Sequence, residues 1–162
     1  MRNSLQKRTW AEVSLDNISH NYRAIRAALP EGCRFLGVVK ADAYGHGAVA
    51  VARLLESEGA DYLAVSCLDE AMELRSAGIT MPLLILGHTP SEYTETLIDN
   101  DITQTVSCLA KAQEFSARAA ALGRQLRIHI KIDTGMSRLG FLCGGDSFDE
   151  GVANVIASCR LP

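Results

Sequence analysis

Residues 35–47 read FLGVVKADAYGHG, and this stretch decides the architecture. Phe35 to Val39 is a short apolar run of the kind that forms a strand buried on both faces. Lys40 ends it, Gly45 and Gly47 punctuate the loop that follows, and GAVAVARLLESEG then carries apolar residues at helical spacing as far as Gly59. The order is strand, loop, helix.

That order repeats along the chain. DYLAVSC (61–67) precedes LDEAMELRSAG (68–78), MPLLILG (81–87) precedes TPSEYTETLIDN (89–100), and DITQTVSC (101–108) precedes LAKAQEFSARAAALG (109–123). A fifth strand, RQLRIHIKIDTG (124–135), precedes a helix near DSFDEGVANVIAS (146–158). In the third unit Thr89 reads as a cap and Pro90 as the first helical turn. Upstream, Leu15 to Leu29 reads as a leading helix capped by Ser14 or Asp16, with Ile18, Tyr22, Ile25 and Leu29 on one face. Alternating units of about 20 to 25 residues predict a parallel sheet, either part of a (β/α)8 TIM-type barrel or an open flavodoxin-like sheet. Five units fall short of the eight that close a parallel barrel. The count leaves two readings open: a truncated chain carrying a partial (β/α)8 barrel, about five βα units of eight, or a complete five-stranded flavodoxin-like domain.

At 162 residues and 48% hydrophobic content the chain can bury a real core, which excludes disordered and fibrous classes. The formal charge of -3 and pI near 5.8 come with acids and bases interspersed, so neither a nucleic-acid stripe nor a cationic membrane face is present. A small metabolite is the expected partner. MRNSLQKRTW (1–10) lacks the apolar run of a signal peptide and no stretch reaches a membrane span, so the expected address is cytoplasmic. Cys33, Cys67, Cys108, Cys143 and Cys159 form no CxxC pair and read as reduced thiols, with Cys67 a small buried hydrophobe. The histidines show no ligand spacing, and no metal is expected.

Two segments carry chemistry. Lys40 stands where the first strand ends, and in βα folds the carboxyl ends of the strands form the active-site face. Desolvation by Val38, Val39 and Ala41 would favour its free amine, the form that attacks an aldehyde. A lysine at such a position also serves simply as a side chain reaching from a strand end into water. Tyr44 adds a phenol hydroxyl suited to a phosphate, and Gly45 and Gly47 allow close approach of a ligand. On the fifth strand, alternation puts Ile128, Ile130 and Ile132 toward the helices and His129, Lys131 and Asp133 on the other face. Lys131 there needs a counter-charge or a modification. Arg138, past Gly135, offers a planar fork for a carboxylate or phenolate, or is an ordinary surface residue. His88, His129 and Met136 read as structural.

VVKADAYGHG (38–47) closely resembles the cofactor-lysine signature of the alanine racemases. RTWAEVSLDNISHNYRAIR (8–26) resembles the opening of that family, and KIDTGMSRLGF (131–141) is similar to a third of its runs. The resemblance implies a pyridoxal 5'-phosphate enzyme, an isomerase interconverting L- and D-alanine and supplying D-alanine for peptidoglycan. It implies that Lys40 bonds the cofactor and then acts as base on one face of the α-carbon. Tyr44 would hold the phosphate, and Arg138 would contact the cofactor's phenolic oxygen and the substrate carboxylate. Lys131 corresponds to a lysine carbamylated in many members.

The same resemblance divides the chain into residues 1–14, a segment that pairs with a C-terminal β domain, and residues 15–162, the N-terminal portion of the cofactor-binding barrel. The second base is expected from a tyrosine of the partner subunit in a homodimer, and no segment here resembles the domain that carries it. Little or no activity is expected of this chain alone. Alternatives are a serine or broad-specificity racemase, a pyridoxal-phosphate homeostasis protein or decarboxylase on the same barrel, and a flavodoxin-like binding module.

Overall fold

The computed structural model describes residues 9–162, so the assignment of residues 1–14 as a pairing segment lies outside the described residues for 1–8. Five strands, β1 (Leu36–Val38), β2 (Tyr62–Val65), β3 (Leu83–Ile85), β4 (Ile102–Val106) and β5 (Ile128–Ile130), form one parallel sheet in the order β1-β2-β3-β4-β5. Each strand is laid beside its predecessor with no reversal. A doubly wound sheet requires a switch point where the order reverses, so the sequential order identifies the partial barrel and excludes the flavodoxin-like alternative.

Register decides which side chains share a face. Gly37, Leu63, Leu83 and Ile102 are neighbours across the ladders, as are Val38, Ala64, Leu84 and Thr103 on the opposite face. The first set meets helices α3 (Ala48–Ser57), α4 (Leu68–Ser76), α5 (Thr94–Asp99) and α6 (Leu109–Ala121), where Leu55, Leu74, Leu97 and Phe115 complete the core. Burying each of these large side chains contributes roughly 1.5–3 kcal/mol. Gly37 admits α3 closely, because a Cβ there would lie 2.7 Å from the Leu55 side chain.

Before the barrel, α1 (Leu15–Ala28) is capped by Ser14, whose hydroxyl accepts from the Asn17 N–H at 3.2 Å, so Ser14 and not Asp16 is the cap. Tyr22 is buried edge-on against Phe35. Ser19 and Arg23 both donate to Glu58 just past α3, fastening α1 to that helix. Ile25, placed on the buried face by its spacing, is exposed: α1 is held to the core through Ile18 and Tyr22, and Ile25 lies off that line.

Other expectations change at the strand ends. The first strand is shorter than the run from Phe35 to Val39, and Lys40 belongs to a helical turn, α2 (Lys40–Gly45). After β3, Pro90 leads into a 3-10 turn (Ser91–Tyr93) before α5, and Thr89 does not cap it: its buried hydroxyl has no hydrogen-bond partner among the described residues. The fifth strand breaks at Lys131. Its N–H donates to the Val106 carbonyl while its own carbonyl accepts from Phe141, so the ladder changes partner there. β6 (Ile132–Asp133) then pairs in parallel with β7 (Phe141–Leu142), leaving Ile132 exposed instead of facing the helices with Ile128 and Ile130. A last helix, α7 (Phe148–Cys159), follows.

Cys67 is only half-buried, and Cys33, Cys108 and Cys159 are exposed, whereas half-buried Cys143 packs against the core. At the amino-terminal end of the strands, Glu56 accepts from the Thr80 N–H, the Thr80 hydroxyl and the Met81 N–H, and Arg75 donates to four carbonyls. No helix among the described residues is long and apolar enough to cross a membrane.

Candidate functional site

The carboxyl ends of the strands form one rim. Lys40 follows β1, Ser66 to Glu70 follow β2, Gly87 and His88 follow β3, Ser107 follows β4, and Lys131 to Arg138 follow β5. Past Val39, whose side chain is buried, the backbone leaves the extended form (ψ 18°), so Lys40 enters the turn half-buried at the rim and does not continue the alternation of β1. His129 takes the face away from the helices by alternation from Ile128 and Ile130, and Lys131 follows at the break in the strand.

Local structure at Lys40 departs from anything its composition suggests. Ala41, Asp42, Ala43 and Tyr44 have φ of 50, 54, 51 and 57°, a full turn of left-handed helix built from non-glycine residues, continued by Gly45 at 85°. Each such residue costs roughly 1–2 kcal/mol relative to the right-handed form. The turn persists because it is over-determined. Ala43 is buried and its N–H reaches the Val39 carbonyl, the Asp42 carboxylate accepts from Ala48 N–H at 2.7 Å to start α3, and Glu70 accepts from Ala41 N–H at 2.8 Å. Strain retained in this way clusters at functional sites. The left-handed path leaves Tyr44 62% exposed, with the Lys40 ammonium 5.9 Å from its ring centroid. His46 is committed locally: its Nδ1 lies 2.8 Å from the Ala43 carbonyl, which can only accept, so Nδ1 carries the proton.

Glu70 is the residue that sequence reasoning missed. It stands three residues beyond Cys67, the N-cap of α4, in the position from which a capping-box glutamate reaches back to the preceding turn. That spacing was the available signal. Its carboxylate also accepts from the Ser66 N–H at 2.7 Å and the Ser66 hydroxyl at 2.8 Å. Partial burial pushes the carboxyl up, but the donors from Ser66 and Ala41 outweigh it and hold it below the ordinary carboxylate range.

Across the rim, the Asp133 carboxylate accepts from the N–H groups of Gly135 and Ser137, which hold it below its ordinary value. This folds the TGMSR loop over itself. Gly140, at φ 138°, brings the chain back against β6, where a Cβ would lie 2.5 Å from the Asp133 nitrogen. Arg138 is exposed at the tip and Lys131 is half-buried at the hinge. Among the described residues no hydrogen bond or ion pair joins Lys40, Tyr44, Lys131 and Arg138 to one another, so they share a rim without forming a closed cluster. The counter-charge expected for Lys131 is not in contact with it either, although Asp133 is close enough to feel its field.

A broad apolar hollow of about 450 Å³ lies at the other end of the strands, lined by Leu36, Tyr62, Leu84, Thr103 and His129. It includes none of the rim residues. The chemistry available at the rim is a partly accessible primary amine, a phenol hydroxyl and a free guanidinium, a set suited to an aldehyde carrying anionic groups.

Residues 13–159 match the family model described as alanine racemase, N-terminal domain. An alanine racemase of Clostridium perfringens strain SM101 is 48% identical over 153 residues, covering 94% of this chain and 38% of that protein. Among solved structures, the alanine racemase of Clostridium difficile 630 in complex with cycloserine is 47% identical with a TM-score of 0.89, over 98% of this chain and 42% of that one. A histidine racemase from Leuconostoc mesenteroides subsp. sake is 26% identical with a TM-score of 0.78, over 91% of this chain and 37% of that one. The chain thus spans well under half the length of each protein it matches.

Proposed function

The chain belongs to the alanine racemase N-terminal domain family, and on that premise we propose that it forms the cofactor-bearing part of a pyridoxal-phosphate-dependent racemase acting on L- and D-alanine. The observation that carries this reading is Lys40: a primary amine at the carboxyl end of β1, at the start of a left-handed turn that also presents Tyr44.

The residues present fit the cofactor. The Lys40 amine is partly accessible, the exposed Tyr44 has no hydrogen-bond partner among the described residues, and neither does the Arg138 guanidinium. Pyridoxal phosphate supplies an electron sink that renders the α-proton of a bound amino acid acidic. Lys40 would hold the cofactor through its amine and would take or return the α-proton on one face of the substrate. Tyr44 would donate its hydroxyl hydrogen to a phosphate oxygen, and Arg138 would grip the substrate carboxylate with its fork. Lys131 would take up carbon dioxide as a carbamate: its neutral amine forms an N–C bond as one C=O π pair moves onto oxygen, and the nitrogen proton passes to water, which turns a half-buried cation into an anion able to orient Arg138. The proton on the opposite face would be handled by a tyrosine from a partner subunit, residues 1–14 would pair with the C-terminal β domain of the complete family protein, and the enzyme would work as a cytoplasmic homodimer.

The test is direct. The chain is incubated with pyridoxal phosphate, reduced with borohydride and digested, and the peptides are weighed. The expected outcome is a cofactor adduct on Lys40, absent in Lys40→Ala; an adduct spread over surface lysines would refute the assignment. Parallel assays with L-alanine, L-serine and L-histidine in the family's full-length form separate an alanine enzyme from a broad one, and the histidine racemase neighbour is the reason to include the third.

A further inference from the structure

The peptide that follows Lys40 is held by an acid from outside its own loop. The Ala41 N–H belongs to the peptide whose carbonyl is that of Lys40, so an acceptor on that N–H fixes the plane of the Lys40–Ala41 peptide. Fixing that plane fixes ψ of Lys40, and with it the angle at which the side chain leaves the rim. The acceptor is Glu70 Oε1, from another βα unit 29 residues away. Glu70 Oε2 is meanwhile bonded to both the N–H and the hydroxyl of Ser66, at the end of β2. One carboxylate therefore ties the end of β1 to the end of β2.

Among the described residues no other side chain from outside residues 40–48 hydrogen-bonds to the left-handed turn. The two remaining side-chain bonds there are local, from Asp42 and His46. Chemistry also specifies a carboxylate at this position. Both oxygens must accept, because all the groups they face are donors; an amide would turn one acceptor into a donor aimed at an N–H.

From this we infer that Glu70 is a positioning residue for Lys40: it sets the orientation of the amine without touching the cofactor or the substrate. The inference rests on the reading of Lys40 as the cofactor lysine. Glu56 provides a matched control, since it also accepts three donors, but at the amino-terminal end of the sheet.

The experiment compares the parent chain with Glu70→Gln, Glu70→Ala and Glu56→Ala. It reads the initial rate of borohydride-trapped pyridoxal phosphate on Lys40, normalised to the folded fraction, and amide hydrogen exchange in peptide 39–47 without cofactor. Both Glu70 variants should slow trapping by about tenfold or more, a scale set by small misplacements of a reacting group. Both should also speed exchange across 39–47. Glu56→Ala should lower the melting temperature yet leave both readings within about twofold, as a distant and independent site. Trapping and exchange at parental levels in the Glu70 variants would overturn the inference, as would equal losses in Glu56→Ala. If Glu70→Ala does not fold, the nearly isosteric Glu70→Gln decides alone. A parent that never traps cofactor on Lys40 fails the underlying reading instead, and the inference with it, whereas normal trapping in the parent and in both Glu70 variants sinks only the role of Glu70.

Discussion

The two loops that present the candidate cations solve the same problem in different ways. At Lys40, a strained left-handed turn is fastened from another βα unit by Glu70, anchored beneath by buried Ala43 and tied forward to α3 by Asp42. At Arg138, the loop between β6 and β7 is held by its own Asp133, a contact between residues two and four apart in sequence. The first loop is fixed relative to the whole sheet, the second only relative to itself. A residue that bonds a cofactor and moves a proton needs the first kind of support. A guanidinium that closes on a carboxylate works on the second kind, because its ligand completes the arrangement.

The largest effect expected from breaking this contrast is on the first loop. Lys40→Ala removes the only amine that the turn is built to aim, so site-specific trapping should fall to the background of surface lysines. Arg138→Ala should leave trapping at Lys40 largely intact and weaken retention of the substrate carboxylate, read as a higher KM in the family's full-length enzyme. If both substitutions abolished trapping equally, the two loops would be parts of one coupled unit and the contrast would fail.

Next in size is the glycine that lets the second loop return. A methyl group at Gly140 would meet the Asp133 nitrogen at 2.5 Å with φ at 138°, and this is backbone that cannot swing aside. Gly140→Ala should cost roughly 3 kcal/mol through strain and overpacking. Denaturant unfolding should show the loss, with β6–β7 amides exchanging faster than those of β1.

The first loop responds in the opposite sense. Ala41 is exposed with φ 50°, so Ala41→Gly should raise stability by about 1 kcal/mol by relieving a left-handed alanine. The same change at Ala117, exposed within α6, should lower it by about 1 kcal/mol. Opposite signs for one chemical change at two alanines would show that the turn stores strain. Equal losses at both would show that it does not. If Ala41→Gly also slowed trapping at Lys40, stability would have been gained at the expense of pre-organisation.

These sites mark where the sequence was legible and where it was not. Hydrophobic runs and glycine stops located five βα units because burial leaves a compositional trace, clearest in β2, β3 and β4; Leu36 and Val38 of β1 and Ile128 of β5 are exposed. Sheet order is a different matter: Gly37 beside Leu63 beside Leu83 is a fact of packing, so barrel and open sheet remained alternatives until the order was seen. Lys40, Tyr44, Lys131 and Arg138 were legible as residues at strand ends. The left-handed turn was not, because Ala41 and Ala43 are good right-handed helix formers and only their partners force the other hand. The break at Lys131 was hidden for a related reason, since IHIKID alternates without interruption while the ladder beneath it changes partner. Glu70 escaped because a helix N-terminal glutamate is common, and its long-range bond has no local signature.

The smallest expected effect separates the loops by pH. Asp133 has its folded-state value depressed by the N–H groups of Gly135 and Ser137. A depressed carboxyl contributes stability that is present above its unfolded value, near 4, and is lost as pH falls through the lower folded value. Asp133→Asn keeps one acceptor oxygen but no charge, so parent and variant should differ most above about pH 4 and converge as the solution is acidified below it. Glu70 is depressed in the same direction against the opposing push of burial, so the parent and Glu70→Gln should converge over the same acid range. The loops then part in what each convergence reports. Acidification should loosen peptide 39–47 through Glu70 with a matching loss of Lys40 trapping, measured after rapid return to neutral pH before reclosure. Loosening of residues 134–139 through Asp133 should leave that trapping untouched. A trapping loss that followed the Asp133 titration, and persisted in Glu70→Gln, would mean that the second loop supports the amine after all.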